Sequence, residues 1–249
     1  RDRPVAVTQK FLVVTCNYPA RAAGVGKLMR IDKAKEICPD LALVSGEDLT
    51  PYREASESIF AALSAFGPCQ KLGLDELFVD VTALAEAEVG VPWASGCNVH
   101  YAVAGTRSAE AEAHTGTNYR PQDLRAAAAA SSSASDASWR ASDDAHASQQ
   151  QLLLRAASAV AVRCKAAVLA QSGLTVSVGV ACNKLLAKLV SGLHKPDGLS
   201  ALPPSESLAF LRPLDVRVLP GVGFAATSRL HAAGLRTVGD VAALPAERL

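Results

Sequence analysis

Leu72-Gly73-Leu74-Asp75-Glu76-Leu77-Phe78-Val79-Asp80 sets two adjacent carboxylates inside an apolar run. Neighbouring acids repel and lose water when the strand around them is covered, so the pair is costly by itself. A divalent cation removes that cost, and Mg²⁺ takes hard oxygen ligands of this kind. Gly73 punctuates the run, so Gln70–Leu72 and Leu74–Thr82 read as the strands of a hairpin. In a regular strand, side chains 75 and 76 point to opposite faces. A shared metal site therefore needs a twist or bulge near the Gly73 turn. A solvated hairpin tip accounts for the same residues without a metal.

Working upstream, Pro4–Gln9 and Phe11–Thr15 are β-branched, strand-like runs, and Leu41–Val44 is a third. Ala22–Ile37 reads as helix–turn–helix, punctuated by Gly24 and Gly26, with Asp32 as an N-cap. A helix from Thr50 to about Phe66 puts Ile59, Leu63 and Phe66 on one face. Downstream, residues 102–149 hold an Ala run, a Ser run and few aliphatics, which reads as a low-complexity insertion. Order is expected again in an amphipathic helix over Gln150–Gln171, a strand over Leu174–Ala181 and a helix over Asn183–Leu193. A Lys195-Pro196-Asp197-Gly198 turn follows. Pro203–Leu249 reads as short helices with Pro and Gly at the joints. Strands and helices in this order, without a Gly-rich dinucleotide motif, indicate an α+β fold.

Three further motifs suit phosphate. Tyr18-Pro19-Ala20-Arg21 offers a hydroxyl and a planar guanidinium fork after a strand, although a loop followed by a basic helix is the more ordinary account of this motif on its own. Lys188 and Lys195 lie seven apart, two helical turns, with Lys195 beyond the helix end; a solubilising Lys stripe is the ordinary alternative. Leu219-Pro220-Gly221-Val222-Gly223, then Thr227–Ala233, Gly234 and a second helix from Thr237, form a helix–hairpin–helix pattern. Its glycines let backbone N–H groups approach phosphates, and the helix start favours anions. Such a unit holds duplex DNA without reading its sequence, and a plain helical hairpin has the same outline.

The net charge of +1 does not single out a nucleic-acid partner. Its distribution says more. Residues 1–35 carry eight Lys or Arg against two acids, and Asn183–Lys195 holds three Lys and no acid. These are the two basic patches that a phosphate-binding cleft leaves. The six cysteines are scattered without a Cys-x-x-Cys pair, which argues against zinc and against a disulfide framework. No apolar run is long enough to span a membrane. The chain opens on Arg, with Val5–Val7 already strand-like, so it reads as an internal piece of a longer protein.

In their order, these pieces resemble the Y-family DNA polymerases. The carriers are QKFLVVTCNYPARAAGVGKLM from Gln9, GLDELFVDVT from Gly73, VSVGVACNKLLAKLVSGLHKPDGL from Val176 and LPGVG from Leu219. KLM, GEDLT-x-YRE and LLAKLVSG are most similar to the iota branch of that family. The resemblance covers nearly all of residues 1–85 and 150–245. It implies a palm with a ferredoxin-like mixed sheet, a small fingers subdomain and a helical thumb. Their expected extents are fingers over 1–50, palm over 51–202 and thumb over 203–249.

The resemblance further implies translesion synthesis by two-metal nucleotidyl transfer with Mg²⁺ or Mn²⁺. Asp75 looks like the metal-binding palm aspartate and Glu76 like its catalytic neighbour. Tyr18, Arg21 and Lys195 look like triphosphate ligands, Gln9 and Leu12 like contacts to the templating base, and Gly221 and Gly223 like the DNA-backbone hairpin. Primer-template DNA and deoxynucleoside triphosphates are the implied partners, with a sliding clamp through regions beyond the thumb, no membrane, and a nuclear location. The family's first metal aspartate belongs to a strand preceding residue 1, so the piece alone is expected to be inactive. Pro19 stands where the iota pattern has an acid, and Asp197 where Asn is usual. Two other readings remain open: an inactive DNA-binding or scaffold relative, and a glycosylase-like repair enzyme using Asp240 beyond the hairpin.

Overall fold

A computed structural model of the chain describes residues 3–90, 99–101 and 149–245. The insertion expected at 102–149 lies outside them except for Gln149. Among the described residues the architecture is α+β, as expected, built on three small sheets.

Strands β1 (Val5–Gln9) and β2 (Leu12–Cys16) form an antiparallel hairpin. Lys10 closes it in the left-handed region, φ +50°, which a two-residue turn of this hand requires. Strand β3 (Ala42–Ser45) runs parallel to β1, giving the order β2-β1-β3. Helices α1 (Tyr18–Ala22) and α2 (Ile31–Ile37) cover this sheet around Ala6, Val13, Cys16, Ala20, Val25, Ala34, Cys38 and Leu41. The first helix therefore starts four residues earlier than the sequence suggested. Asn17 accepts from Ala20 N at 3.2 Å and caps it, and Pro19 fits the first turn, where its missing N–H costs nothing. Asp32 is not an N-cap. Arg30 takes that position, and Asp32, inside the first turn, pairs with the Arg30 guanidinium at 2.8 Å.

The second unit centres on a long helix. After α3 (Thr50–Ser64) come β4 (Cys69–Lys71), β5 (Leu77–Val79), α4 (Thr82–Ala87), the short β6 (His100–Tyr101) and α5 (Gln149–Ser172). One side of α5 buries Val160, Cys164 and Val168 with Leu63 of α3, and Leu77 and Val79 of the β4–β5 hairpin pack against them. Its other side buries Leu154 and Ala161 against Val180, Leu199 and Ala201. Ser158 is fully buried there, and its hydroxyl satisfies itself on Leu154 O at 2.8 Å. Strand β5 ends before Thr82. Asp80 accepts from the Thr82 amide and hydroxyl, at 3.0 and 2.6 Å, and turns the chain into α4.

Strands β7 (Val178–Val180) and β8 (Leu199–Ala201) complete a parallel sheet in the order β6-β8-β7. The strand expected over Leu174–Ala181 is thus much shorter. Gly173 turns left-handed at φ +65° and Leu174 N bonds back to Ser172 Oγ, so the chain is still leaving α5. Helix α6 (Lys184–Ser191), capped by Asn183, lies flush on β7. Its Leu186, Leu189 and Val190, with Leu193, share a core with Leu202, Phe210, Leu214 and Val218. Full burial of each such Leu contributes about 2 kcal/mol, so this core ties α6 firmly to α7 (Ser207–Leu211) and the turns beyond it. Helices α8 (Phe224–Ala232) and α9 (Val238–Ala242) end the described chain.

Candidate active site

Asp75 and Glu76 lie outside both hairpin strands. Strand β4 ends at Lys71 and β5 begins at Leu77, so residues 72–76 form the connection. Leu72 N and Gly73 N both donate to Glu76 O, at 2.9 and 3.3 Å, which curls the segment back on itself. Strand alternation therefore does not govern the two carboxylates, and the obstacle read from the sequence is removed by the loop. Both residues are exposed. The Asp75 carboxylate leans toward Gly73, where an added Cβ would lie 3.7 Å from Oδ1.

Helix α6 approaches this loop with its lysines. Lys188 Nζ donates to Glu76 Oε2 at 2.6 Å, and Lys184 Nζ donates to Gln70 Oε1 at 2.7 Å. The Lys188 and Glu76 side chains are 23% and 42% exposed, so the pair is screened and worth less than about 1 kcal/mol to stability. Its importance is geometric, since it lays the helix beside the acids. Lys188 turns to the acid and Lys195 does not, so the two lysines do not act as one stripe.

Among the described residues, no group of three or more His, Cys, Asp or Glu is placed to hold a metal ion. Two adjacent exposed carboxylates nevertheless fit Mg²⁺. That ion keeps several waters and is commonly held by one or two carboxylates plus substrate phosphates.

Tyr18 and Arg21 sit on α1. The Arg21 guanidinium lies 5.6 Å from the Tyr18 ring centroid, and its Nε donates to Cys16 O at 3.0 Å. Partial burial raises the Tyr18 phenol above its usual value, against the opposing pull of Arg21, so Tyr18 remains a protonated donor at neutral pH. Asn17 fixes the start of this helix with three bonds. Its Oδ1 accepts from Val5 N at 3.0 Å and from Ala20 N, and its Nδ2 donates to Arg3 O at 2.8 Å. The sequence reading passed over Asn17, although an Asn immediately before a Pro-containing first turn is an N-cap signal.

Gln9 and Leu12 face each other as the closing pair of the β1–β2 hairpin. The Gln9 amide donates to Gly46 O at 2.8 Å, which anchors that end of β1 to the segment after β3. Gly46 has no room for a side chain, because a Cβ would come within 2.5 Å of Val7 Cγ1.

Lys195 is half-buried in the turn after α6, and its ammonium has no hydrogen-bond or ion-pair partner among the described residues. Neither Arg21 nor Lys195 bonds to Asp75 or Glu76 among those residues.

Gly221 is left-handed at φ +91°, and Gly223 stands at the N-cap of α8 without a side-chain cap. No atom lies within 4 Å of an added Cβ at either glycine, so their backbone faces open space. The hairpin helix starts at Phe224, three residues earlier than expected. Thr237 caps α9, and the Asp240 carboxylate accepts from Arg236 N and Thr237 N at 3.0 and 2.8 Å. Asp240 is thereby a helix-capping residue, and the repair-enzyme reading loses its acid. Among the described residues, no helix is long and apolar enough to cross a membrane.

The model of the impB/mucB/samB family (IMS) matches residues 1–192. DNA polymerase iota of Homo sapiens is 36% identical over 243 residues, covering 97% of this chain and 28% of that protein. DNA polymerase iota of Mus musculus is 36% identical over 254 residues, 100% of this chain and 30% of that protein. DNA polymerase IV of Shewanella sp. (strain MR-7) is 30% identical over 254 residues, 100% of this chain and 52% of that protein. The chain thus spans about half or less of the length of these relatives. A solved structure, "Dbh Ternary Complex (substrates partially disordered)", has the same fold, with a TM-score of 0.65 at 24% identity over 98% of this chain and 54% of that one. The chain belongs to the impB/mucB/samB family, the Y-family polymerase domain.

Proposed function

We propose that this chain is the nucleotide- and metal-handling part of a translesion DNA polymerase that extends a primer opposite damaged template. The observation that carries this reading is the loop at 72–76, which presents both acids to solvent beside the basic helix α6. Asp75 and Glu76 hold divalent cations, Mg²⁺ or Mn²⁺. When bound, such a metal would supply Lewis-acid charge to the primer 3′-hydroxyl and to the leaving pyrophosphate.

The chain's own residues supply position and charge. Tyr18 donates its hydroxyl and Arg21 its guanidinium fork to the triphosphate, from a helix that Asn17 anchors. Lys195 contributes its unpaired ammonium. Gln9 and Leu12, at the closed end of the β1–β2 hairpin, press on the templating base. Gly221, Gly223 and the uncapped start of α8 take the DNA backbone. Fingers over 1–50, palm over 51–202 and thumb over 203–249 remain the layout we infer, with a core that joins α6 to the segment after 202. Nuclear location and a sliding-clamp partner belong to the same proposal.

Primer extension by the protein at its full natural length tests it. Asp75→Ala is expected to abolish single-nucleotide incorporation with either metal while leaving the thermal melt unchanged. Incorporation by that variant at near the parental rate would remove the metal role from this site. An inactive relative that merely binds DNA would show no metal-dependent incorporation in the parental protein.

A further inference from the structure

Lys165 on α5 spends its whole ammonium on two loops. Its Nζ donates to Val176 O at 2.9 Å, to Asp197 Oδ1 at 2.6 Å and to Asp197 O. An ammonium has three N–H donors, so none is left over. The side chain is mostly covered, 20% exposed, while Asp197 is 52% exposed. Lys165 therefore bolts the segment before β7 and the turn after α6 onto the same helix.

The turn that it holds is the one that carries Lys195. Asp197 sits in the left-handed region at φ +55°. Gly198 cannot be replaced, because a Cβ there would fall 1.8 Å from His194 O. Gly198 O accepts from Val178 N at 2.9 Å, and the His194 ring bonds the buried Ser200 hydroxyl at 2.9 Å. Lys195 lies between these fixed points with a free ammonium. A four-carbon side chain delivers its charge reproducibly only when its Cα is held, since the stem itself is flexible.

We propose that Lys165 is a positioning residue for nucleotide binding, with Asp197 as its partner, and that the pair fixes the backbone from which Lys195 reaches the triphosphate. This rests on the reading of Lys195 as a triphosphate ligand. Asp197 in this turn makes the contact an ion pair, and the Asp197 carbonyl doubles it.

The test is steady-state single-nucleotide incorporation by the full-length protein, read as the nucleotide KM and kcat separately, with primer-template affinity and the thermal melt as controls. Losing the charge-assisted bonds in Lys165→Met is expected to raise the nucleotide KM about tenfold, with kcat changed less than about twofold. Lys165→Arg keeps the KM within about threefold, because the fork still reaches acceptors on both loops. In a Lys195→Ala background, Lys165→Met adds less than about twofold, since a residue that acts through Lys195 has nothing left to position. Should Lys165→Met fail to fold, Asp197→Gly removes the carboxylate without penalising the positive φ and is expected to raise KM about threefold. An equal KM increase from Lys165→Met with and without Lys195 would overturn the proposal and leave a purely structural ion pair. A KM that rises in Lys195→Ala but in neither Lys165→Met nor Asp197→Gly would overturn it too, while sparing Lys195. An unchanged KM in Lys195→Ala would overturn the triphosphate reading of Lys195 itself, and the clamp's function with it.

Discussion

Adding one methyl group at Gly179 measures how closely β7 and α6 must meet. A Cβ built there would lie 2.0 Å from Ala187 O and 2.7 Å from Ser191 N, both of them backbone atoms of α6. No side chain can swing aside to make room. Strand and helix have to part until the 2.0 Å contact reaches at least 3.0 Å, below which real Cβ contacts essentially never fall. The movement lifts Leu186, Leu189 and Val190 from Leu202, Phe210 and Leu214, which are all buried in the same core. Overpacking of this kind costs about 1–3 kcal/mol, and more when backbone resists. We expect the upper figure, about 3 kcal/mol, which in a chain of this size lowers Tm by about 6–12 °C. Circular dichroism melts of Gly179→Ala against the parent read this directly. Gly26→Ala is the control, because nothing lies within 4 Å of its Cβ position, and it should shift Tm by no more than about 2 °C. A Gly179→Ala melt indistinguishable from that of Gly26→Ala would refute the close packing on which the placement of Lys188 and the Lys195 turn depends.

Other outcomes follow from single residues. Arg21→Ala removes the guanidinium beside Tyr18 and should raise the nucleotide KM by about tenfold with primer-template affinity unchanged; an unaltered KM would take Arg21 out of the triphosphate site. The Asp240 carboxylate is held below its usual value, first by the Thr237 amide and then by the Thr237 hydroxyl and the Arg236 amide. A folded pKa below the unfolded one stabilises above the ordinary carboxylate range and is lost as pH falls through the lowered value. The stability gap between parent and Asp240→Ala should therefore be widest near neutrality and close in acid; a gap independent of pH would contradict the cap. Burial pushes the Cys164 thiol up to about 11, with the Arg163 charge opposing and Cys69 adding to the rise. Mass spectrometry after alkylation of the native chain at pH 8 should find the exposed Cys182 modified well before Cys164, and equal labelling would place Cys164 outside the core.

Local pattern was readable along the chain because its physics is local. The helix beginning about Asn183, the Thr50 start of α3 and the helix–hairpin–helix order around Gly221 all depend on residues within a turn or two. The adjacent acids 75 and 76, the basic segments and the α+β order were legible for the same reason, while the family came from the resemblance of the ordered motifs that start at Gln9, Gly73, Val176 and Leu219. Boundaries failed where a side chain competed for backbone. Asn17 began α1 early, Asp80 ended β5 early, and Gly173 with Ser172 consumed the start of β7. What no periodicity carries is the identity of a distant partner. Lys188 meets Glu76 across 112 positions and Lys165 meets Asp197 across 32, and nothing in either local pattern selects those pairs. They arise because α5 is wedged between the β4–β5 hairpin and the β7–β8 sheet, and α6 is pressed onto β7. Sequence alone thus determined which chemical groups this protein owns and which short elements bear them. Tertiary packing decided which groups face one another, because the burial that sets those distances belongs to surfaces assembled from remote parts of the chain.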